Sequence, residues 1–178
     1  MERSKIMKTV MNLTEVSSEN LPDIYCDLDM VLVNFMKGAD AAVGGSFVTH
    51  DKEERWNLIN QVKGFWANLE WMPGAKRLYD FIIKYDPHVL SAFSGKDPTS
   101  KTGKMKWLGK NTKFKRANIH LVLRSQKQKY AKNTDGRPNI LIDDYIKNIK
   151  EWESKGGHGI HHTNVSKTIG ELKRLGFK

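Results

Sequence analysis

Two kinds of apolar pattern alternate along this chain. Short runs (Ile24-Tyr25-Cys26, His88-Val89-Leu90, Ile119 to Leu123 and Asn139 to Ile142) read as strands of a parallel sheet, which are apolar on both faces, and His158 to Thr163 as a short fifth strand. Between them apolar residues recur at helical spacing. Ala75, Leu78, Phe81, Ile82 and Tyr85 predict an amphipathic helix that Asp86-Pro87 ends, and Thr102 to Lys110 predicts a basic helix packing through Met105, Trp107 and Leu108. Ile146, Ile149 and Trp152 give another helix its inner face, with Gly156-Gly157 as its stop. Thr168 and Glu171 read as a capping box for a last helix ending near Gly176. Strands alternating with helices imply a parallel, right-handed α/β sheet.

One segment departs from the alternation. From Phe35 to about Trp71, Trp56, Ile59, Val62, Phe65 and Trp66 recur at helical spacing while Gly38, Gly44 and Gly45 interrupt, which predicts a small helical insertion after the first strand. Residues up to about 20 are polar and aperiodic and read as an arm. The expected division is therefore an arm at 1–20, a core at 21–34 and 73–178, and a cap at 35–72.

The length of 178 residues suits one domain with such an insertion. No run approaches a membrane-spanning length, and no signal-peptide-like apolar core opens the chain. The lone cysteine, Cys26, sits inside the first predicted strand, so no disulfide framework exists and a reducing, cytoplasmic setting is expected. The formal net charge of +10 is uneven. No acid occurs between Asp97 and Asp135, a stretch holding Lys101, Lys104, Lys106, Lys110, Lys113, Lys115, Arg116, Arg124, Lys127, Lys129 and Lys132. Such a field attracts anions, so residues 101–132 are a candidate nucleic-acid contact as well as a candidate solvated surface.

Polar groups end the apolar runs: Asp27 and Asp29, Ser91, the Arg124 to Lys129 turn, and Asp143-Asp144. In an open parallel sheet these ends gather at one edge, where ligands bind. Asp27 and Asp29 lie on one side of an extended segment, and carboxylates gathered there repel unless a cation or proton intervenes. Carboxylates, a hydroxyl and an ammonium around one point suit phosphoryl transfer. Mg²⁺ takes oxygen ligands from one or two carboxylates and from phosphate, one carboxylate can attack phosphorus, and a second can exchange protons. His158, His161 and His162 fall on alternating faces of a strand, so the three are not expected to converge on zinc.

The residues also carry a likeness. Asp27-Leu28-Asp29-Met30-Val31 resembles the DxDx[TV] signature of the haloacid dehalogenase-like phosphatases, Ser91 their second motif, a lysine near 127 their third, and Ile142-Asp143-Asp144 their acidic fourth. Asp29 to Phe35, Phe65 to Leu69 and Met72-Pro73-Gly74-Ala75 bring it nearest to the 5′(3′)-deoxyribonucleotidases and their phage-type relatives. The resemblance spans about Ile24 to Thr163. It implies a haloacid dehalogenase-like, Rossmann-type sheet with a small helical cap, and Mg²⁺-dependent hydrolysis of a nucleoside monophosphate. In that pattern Asp27 is the nucleophile and Asp29 the acid/base. The cation is held by the Asp27 carboxylate, the Asp29 carbonyl and Asp144, with Asp143 as the alternative or neighbour. Ser91 and Lys127, or else Lys129, grip the phosphate, and Phe35 lines the nucleotide pocket. Met30 stands where the family commonly has Gly. A polynucleotide-end phosphatase and a catalytically inactive nucleic-acid-binding module are the rival expectations.

Overall fold

Alternation within each strand decides which side chain enters which half of the core. The computed structural model describes residues 21–178, so the arm expected at 1–20 lies outside the described residues. Five parallel strands, β1 (Ile24–Cys26), β2 (His88–Ala92), β3 (Ile119–Val122), β4 (Ile140–Asp143) and β5 (His158–His161), form one sheet in the order β3-β2-β1-β4-β5. Ile24, Cys26, Val89, Ile140 and Ile142 enter one layer of the core with Leu78, Ile82, Trp107, Leu108 and Leu172. Their neighbours Tyr25, Leu90 and Leu141 enter the other, with Ile149 and Trp152. Both faces of β1, β2 and β4 are buried, which is why these strands read as continuous apolar runs.

Helices α3 (Ala75–Ile82), α4 (Ser100–Asn111) and α6 (Val165–Arg174) supply residues to the first layer, and α5 (Ile146–Ser154) to the second. In α4 Trp107 and Leu108 are buried as the pattern predicts, but so is Lys104. The last helix starts earlier than the predicted capping box allows. Asn164 is its N-cap, accepting from the Lys167 N–H, while Thr168 lies inside the helix, hydrogen-bonded to His162 at 2.8 Å. An Asn side chain caps a helix at least as well as Thr does.

Between β1 and β2 lie α1 (Phe35–Val43), α2 (Lys52–Gln61) and a 3₁₀ turn (Phe65–Asn68). They bury a cluster of their own: Ala39, Val43, Phe47, Ile59, Phe65 and Trp66. Val62, expected on that inner face, is instead exposed, because α2 ends at Gln61 and Val62 is its C-cap. The chain enters and leaves this insert through a short antiparallel clasp. Val33 bridges Trp71, Asn34 N–H donates to the Glu70 carbonyl at 2.9 Å, and Met72 N–H to the Leu32 carbonyl at 2.8 Å. Among the described residues no helix is long and apolar enough to cross a membrane.

The strand order fixes where a ligand can enter. From β1 the chain moves outward through β2 to β3, then returns to place β4 on the other side of β1. The order therefore reverses at β1/β4, the switch point where a crevice opens at the carboxyl ends of the strands.

Candidate active site

Asp27 follows β1 directly, and its N–H donates to the Ile142 carbonyl at 2.8 Å, which ties it to β4. Its Oδ1 accepts from the Leu28 N–H at 2.7 Å, and its Oδ2 lies 2.9 Å from the Lys127 ammonium. Beyond it the chain turns sharply: Val31, Leu32 and Val33 all donate to the Leu28 carbonyl, and Met30 N–H to that of Val33. Met30 takes a φ of +60° to make this turn. That is the left-handed region in which Gly is unstrained and a side chain costs about 1 kcal/mol. The departure from the family pattern at Met30 thus falls where the backbone would favour glycine.

Asp143, at the end of β4, is fully buried. Its carboxylate accepts from the Tyr145 N–H at 2.9 Å, from the Asn148 amide at 3.1 and 2.9 Å, and from Lys127 at 2.7 Å. Lys127 therefore bridges Asp27 and Asp143. Burial works against its ammonium, but the two carboxylates outweigh that and hold its pKa well above the ordinary lysine value. Asp144 is half-buried beside them. Burial, then the charges of Asp27 and Asp143, push its carboxyl up to about 7. The Asp143 carboxyl is raised to about 6 by burial and Asp27, against the pull of Lys127.

Asp29 faces a second lysine. Lys104 Nζ donates to Asp29 Oδ2 at 2.5 Å, to Ser91 Oγ at 3.1 Å and to the Ala92 carbonyl at 2.6 Å. Burial raises the Asp29 carboxyl above its usual range despite Lys104. The other oxygen, Oδ1, is buried without a hydrogen-bond partner among the described residues. Sequence reasoning placed Lys104 only in a basic helix. Its one available signal was position: it lies one helical turn before Trp107 and Leu108, on the side that packs.

The structure thus brings together Asp27, Asp29, Ser91, Lys127, Asp143 and Asp144. It does not bring in Lys129, which is exposed on the outer side of the Arg124–Tyr130 3₁₀ segment and lines a separate cavity with Ser125, Gln128, Lys132 and Lys155. Phe35 lies in the cap, half-buried, stacked on Trp66 with ring centroids 5.4 Å apart. The three histidines do not converge. His158 and His161 are exposed, whereas His162 is buried against Thr168. The 101–132 basic stretch is not one surface either, since Lys104 and Lys127 point inward, Lys115 pairs with Asp86 and Arg124 with Glu151.

Can these residues hold a cation? One oxygen each from Asp27, Asp143 and Asp144 lies within 4.8 Å of the others. Ligands about 2.1 Å from Mg²⁺ are separated by roughly 3 to 4.2 Å in an octahedron, so small side-chain adjustments suffice. The donors are all oxygen, as a hard cation requires. Fully ionised, four carboxylates (Asp27, Asp29, Asp143, Asp144) against two ammoniums (Lys104, Lys127) leave two negative charges, which one divalent ion balances.

A scan against models of protein families finds no match, and no curated protein matches the sequence. Solved structures do match. A hydrolase from Streptococcus pneumoniae TIGR4 is similar over 86% of this chain and 98% of its own, with a TM-score of 0.53 and 12% identity. A hydrolase from Pseudomonas syringae aligns over 88% of this chain and 90% of its own, with a TM-score of 0.49 and 19% identity. At such identities the first likeness speaks for the fold, and the second adds no argument.

Proposed function

We propose that this protein is a Mg²⁺-dependent phosphomonoester hydrolase acting on a nucleoside monophosphate, nearest in kind to a 5′(3′)-deoxyribonucleotidase. The observation that carries the reading is the meeting of Asp27, Asp143 and Asp144 around Lys127 at the sheet's switch point. The motif likeness supports it, and the Streptococcus structure, itself a hydrolase, shares the fold.

In this reading Asp27, fixed by Leu28 N–H, attacks phosphorus and displaces the alkoxide, leaving an aspartyl-phosphate. Asp29, whose carboxyl burial raises above its usual range, is the acid/base: it gives a proton to the leaving oxygen and then takes one from the water that hydrolyses the acyl phosphate. Ser91 and Lys127 bind the phosphoryl oxygens. The four hydrogen bonds already on Asp143 make Asp144 the better direct ligand and Asp143 the anchor of Lys127 and Asn148. Bound there with Asp27, Asp144 and the Asp29 carbonyl, Mg²⁺ would supply the charge that holds the phosphate against so many carboxylates. Phe35, half-buried in the cap, is the proposed apolar seat for the nucleoside.

A panel of nucleoside monophosphates assayed with and without Mg²⁺ tests the reading, which predicts turnover that EDTA abolishes. A panel with no hydrolysed member, metal supplied, would dispose of it. The exposed Lys129, Lys132 and Lys155 around one cavity favour a second reading, in which the substrate is a phosphorylated polynucleotide end. Preference for end-phosphorylated oligonucleotides over free nucleotides, with a steep salt dependence, would select it. Tight DNA binding in EDTA with no phosphatase activity would instead indicate a binding module.

The cation should also reveal itself in stability. Asp143 and Asp144 titrate near 6 and 7, above their unfolded values near 4, so the native state binds more protons than the unfolded chain in that window. The stability they lend is present at low pH and is lost as pH rises through 6 to 7. Protons and Mg²⁺ compete for the same oxygens, so cation binding strengthens over the same interval. At about 100 times its dissociation constant a ligand adds roughly 2.7 kcal/mol, or some 5–10 °C in Tm for a chain of this size. Differential scanning fluorimetry should show that shift at pH 8 and little of it at pH 5.5. Equal shifts at both would place the ion elsewhere.

A further inference from the structure

The second lysine of the site touches both the core and the cap. Its ammonium meets Asp29 and Ser91 on the core, and on its other side it lies 4.9 Å from the centre of the Trp66 ring, which belongs to the cap. The cap is seated here on α4. A Cβ at Gly103 would meet Trp66 Cβ at 2.5 Å, so only glycine allows the cap to come this close. The Trp66 indole N–H donates to Asp97 Oδ2, and Asp97 Oδ1 in turn accepts from the N–H and hydroxyl of Thr99 at the start of α4. Asn60 of α2 donates to the Lys96 carbonyl at 3.2 Å, a second tie between cap and the same loop.

An ammonium has three hydrogens, and those of Lys104 are all committed: to Asp29, to Ser91 and to the Ala92 carbonyl. It has none left for a substrate phosphate. Because Ser91 Oγ accepts from Lys104, the hydroxyl's own hydrogen is turned elsewhere and remains available to an incoming oxyanion. Lys127 differs, since its two partners, Asp27 and Asp143, leave one hydrogen for substrate.

We propose that Lys104 is a positioning residue that links seating of the cap, through the face of Trp66, to the aim of the Ser91 hydroxyl and the Asp29 carboxylate. This rests on the phosphohydrolase reading for its chemistry, though not for its geometry. With the cap seated, the ring lies over the ammonium, an arrangement that favours the charge, and the ammonium holds both groups in place. With the cap away, the ammonium loses that face and gains water, and the two groups lose a shared anchor. Chemistry is then confined to the closed form, with the substrate enclosed.

The test uses the full chain and p-nitrophenyl phosphate. Lys104→Met should lower kcat by about 10²-fold or more while KM changes less than about threefold, because no contact to substrate is removed. Trp66→Phe and Trp66→Leu both lose the bond to Asp97, but only the Phe variant keeps a ring. Its kcat should exceed that of the Leu variant several-fold, and the Leu change should cost nothing further in a Lys104→Met background. A rise in KM with kcat intact, equal kcat for the two Trp66 variants, or effects that multiply independently would each overturn the link. Amide hydrogen exchange supplies a readout that needs no activity and compares wild type with Trp66→Leu, which leaves Lys104 in place. Exchange should quicken around residues 91–93 as well as 65–69, and unchanged exchange at 91–93 would overturn the proposal. A wild type inactive on every phosphomonoester would sink the phosphohydrolase reading alone, and the exchange comparison would still decide the coupling.

Discussion

Asp27→Asn should abolish turnover and leave the fold in place. The amide is the same size as the carboxylate, and its oxygen can still accept from Leu28 N–H. What it cannot do is attack phosphorus or carry the negative charge that faces Lys127. Removing a nucleophile from a site that works as a unit typically costs some four to six orders of magnitude in kcat. Lys127 keeps Asp143 as a partner, so an unchanged far-UV spectrum and a Tm within a few degrees of wild type are expected. Activity near wild type in this variant would remove the nucleophile assignment.

Lys127→Met should cost both stability and activity. Among the described residues Lys127 is the only ammonium in contact with Asp27 and Asp143, and both carboxylates are shielded from water. Breaking such a buried arrangement from one side usually costs about 3–5 kcal/mol, because the remaining charges go unpaired. At an effective dielectric of about 20, two carboxylates roughly 4 Å apart repel by about 4 kcal/mol, which is the same scale. Chemical denaturation should register the loss in EDTA, and Mg²⁺ should return part of it, since a divalent ion neutralises the same oxygens. Lys129→Met is the matched comparison. Exposed and away from the acids, it should change stability by no more than about 0.5 kcal/mol. Comparable losses in the two variants would undo the distinction between these lysines.

That distinction was beyond the sequence. Lys127 and Lys129 are two residues apart in the same basic run, and either suits the third motif. Only the winding of the Arg124–Tyr130 segment, a 3₁₀ helix between β3 and β4, decides which side chain turns inward. Lys104 was hidden more thoroughly. A lysine among lysines in α4 carries no mark of burial, and its partner Asp29 is 75 residues away along the chain. Helix spacing read outward from Trp107 gave the only hint. By contrast the carboxylates announced themselves, because each ends an apolar run that had to be a buried strand, and parallel strands point their ends the same way. The strands β1, β2 and β4 were legible for the same reason: burial on both faces leaves no polar alternation to confuse them. The start of α6 was misread because Thr168 and Glu171 match a cap pattern that Asn164 already fulfils.

The clasp at Val33 and Trp71 has a consequence for what the sheet tolerates at this neck. The whole insert departs and returns through adjacent hydrogen-bonded positions, so the span across its base is already closed by the core. Since closure entropy grows only slowly with loop length, inserts of quite different size can be exchanged at this neck without disturbing the sheet. Grafting a foreign insert there would leave the carboxylates where they are and strip Lys104 of its overlying ring unless the newcomer brought one of its own.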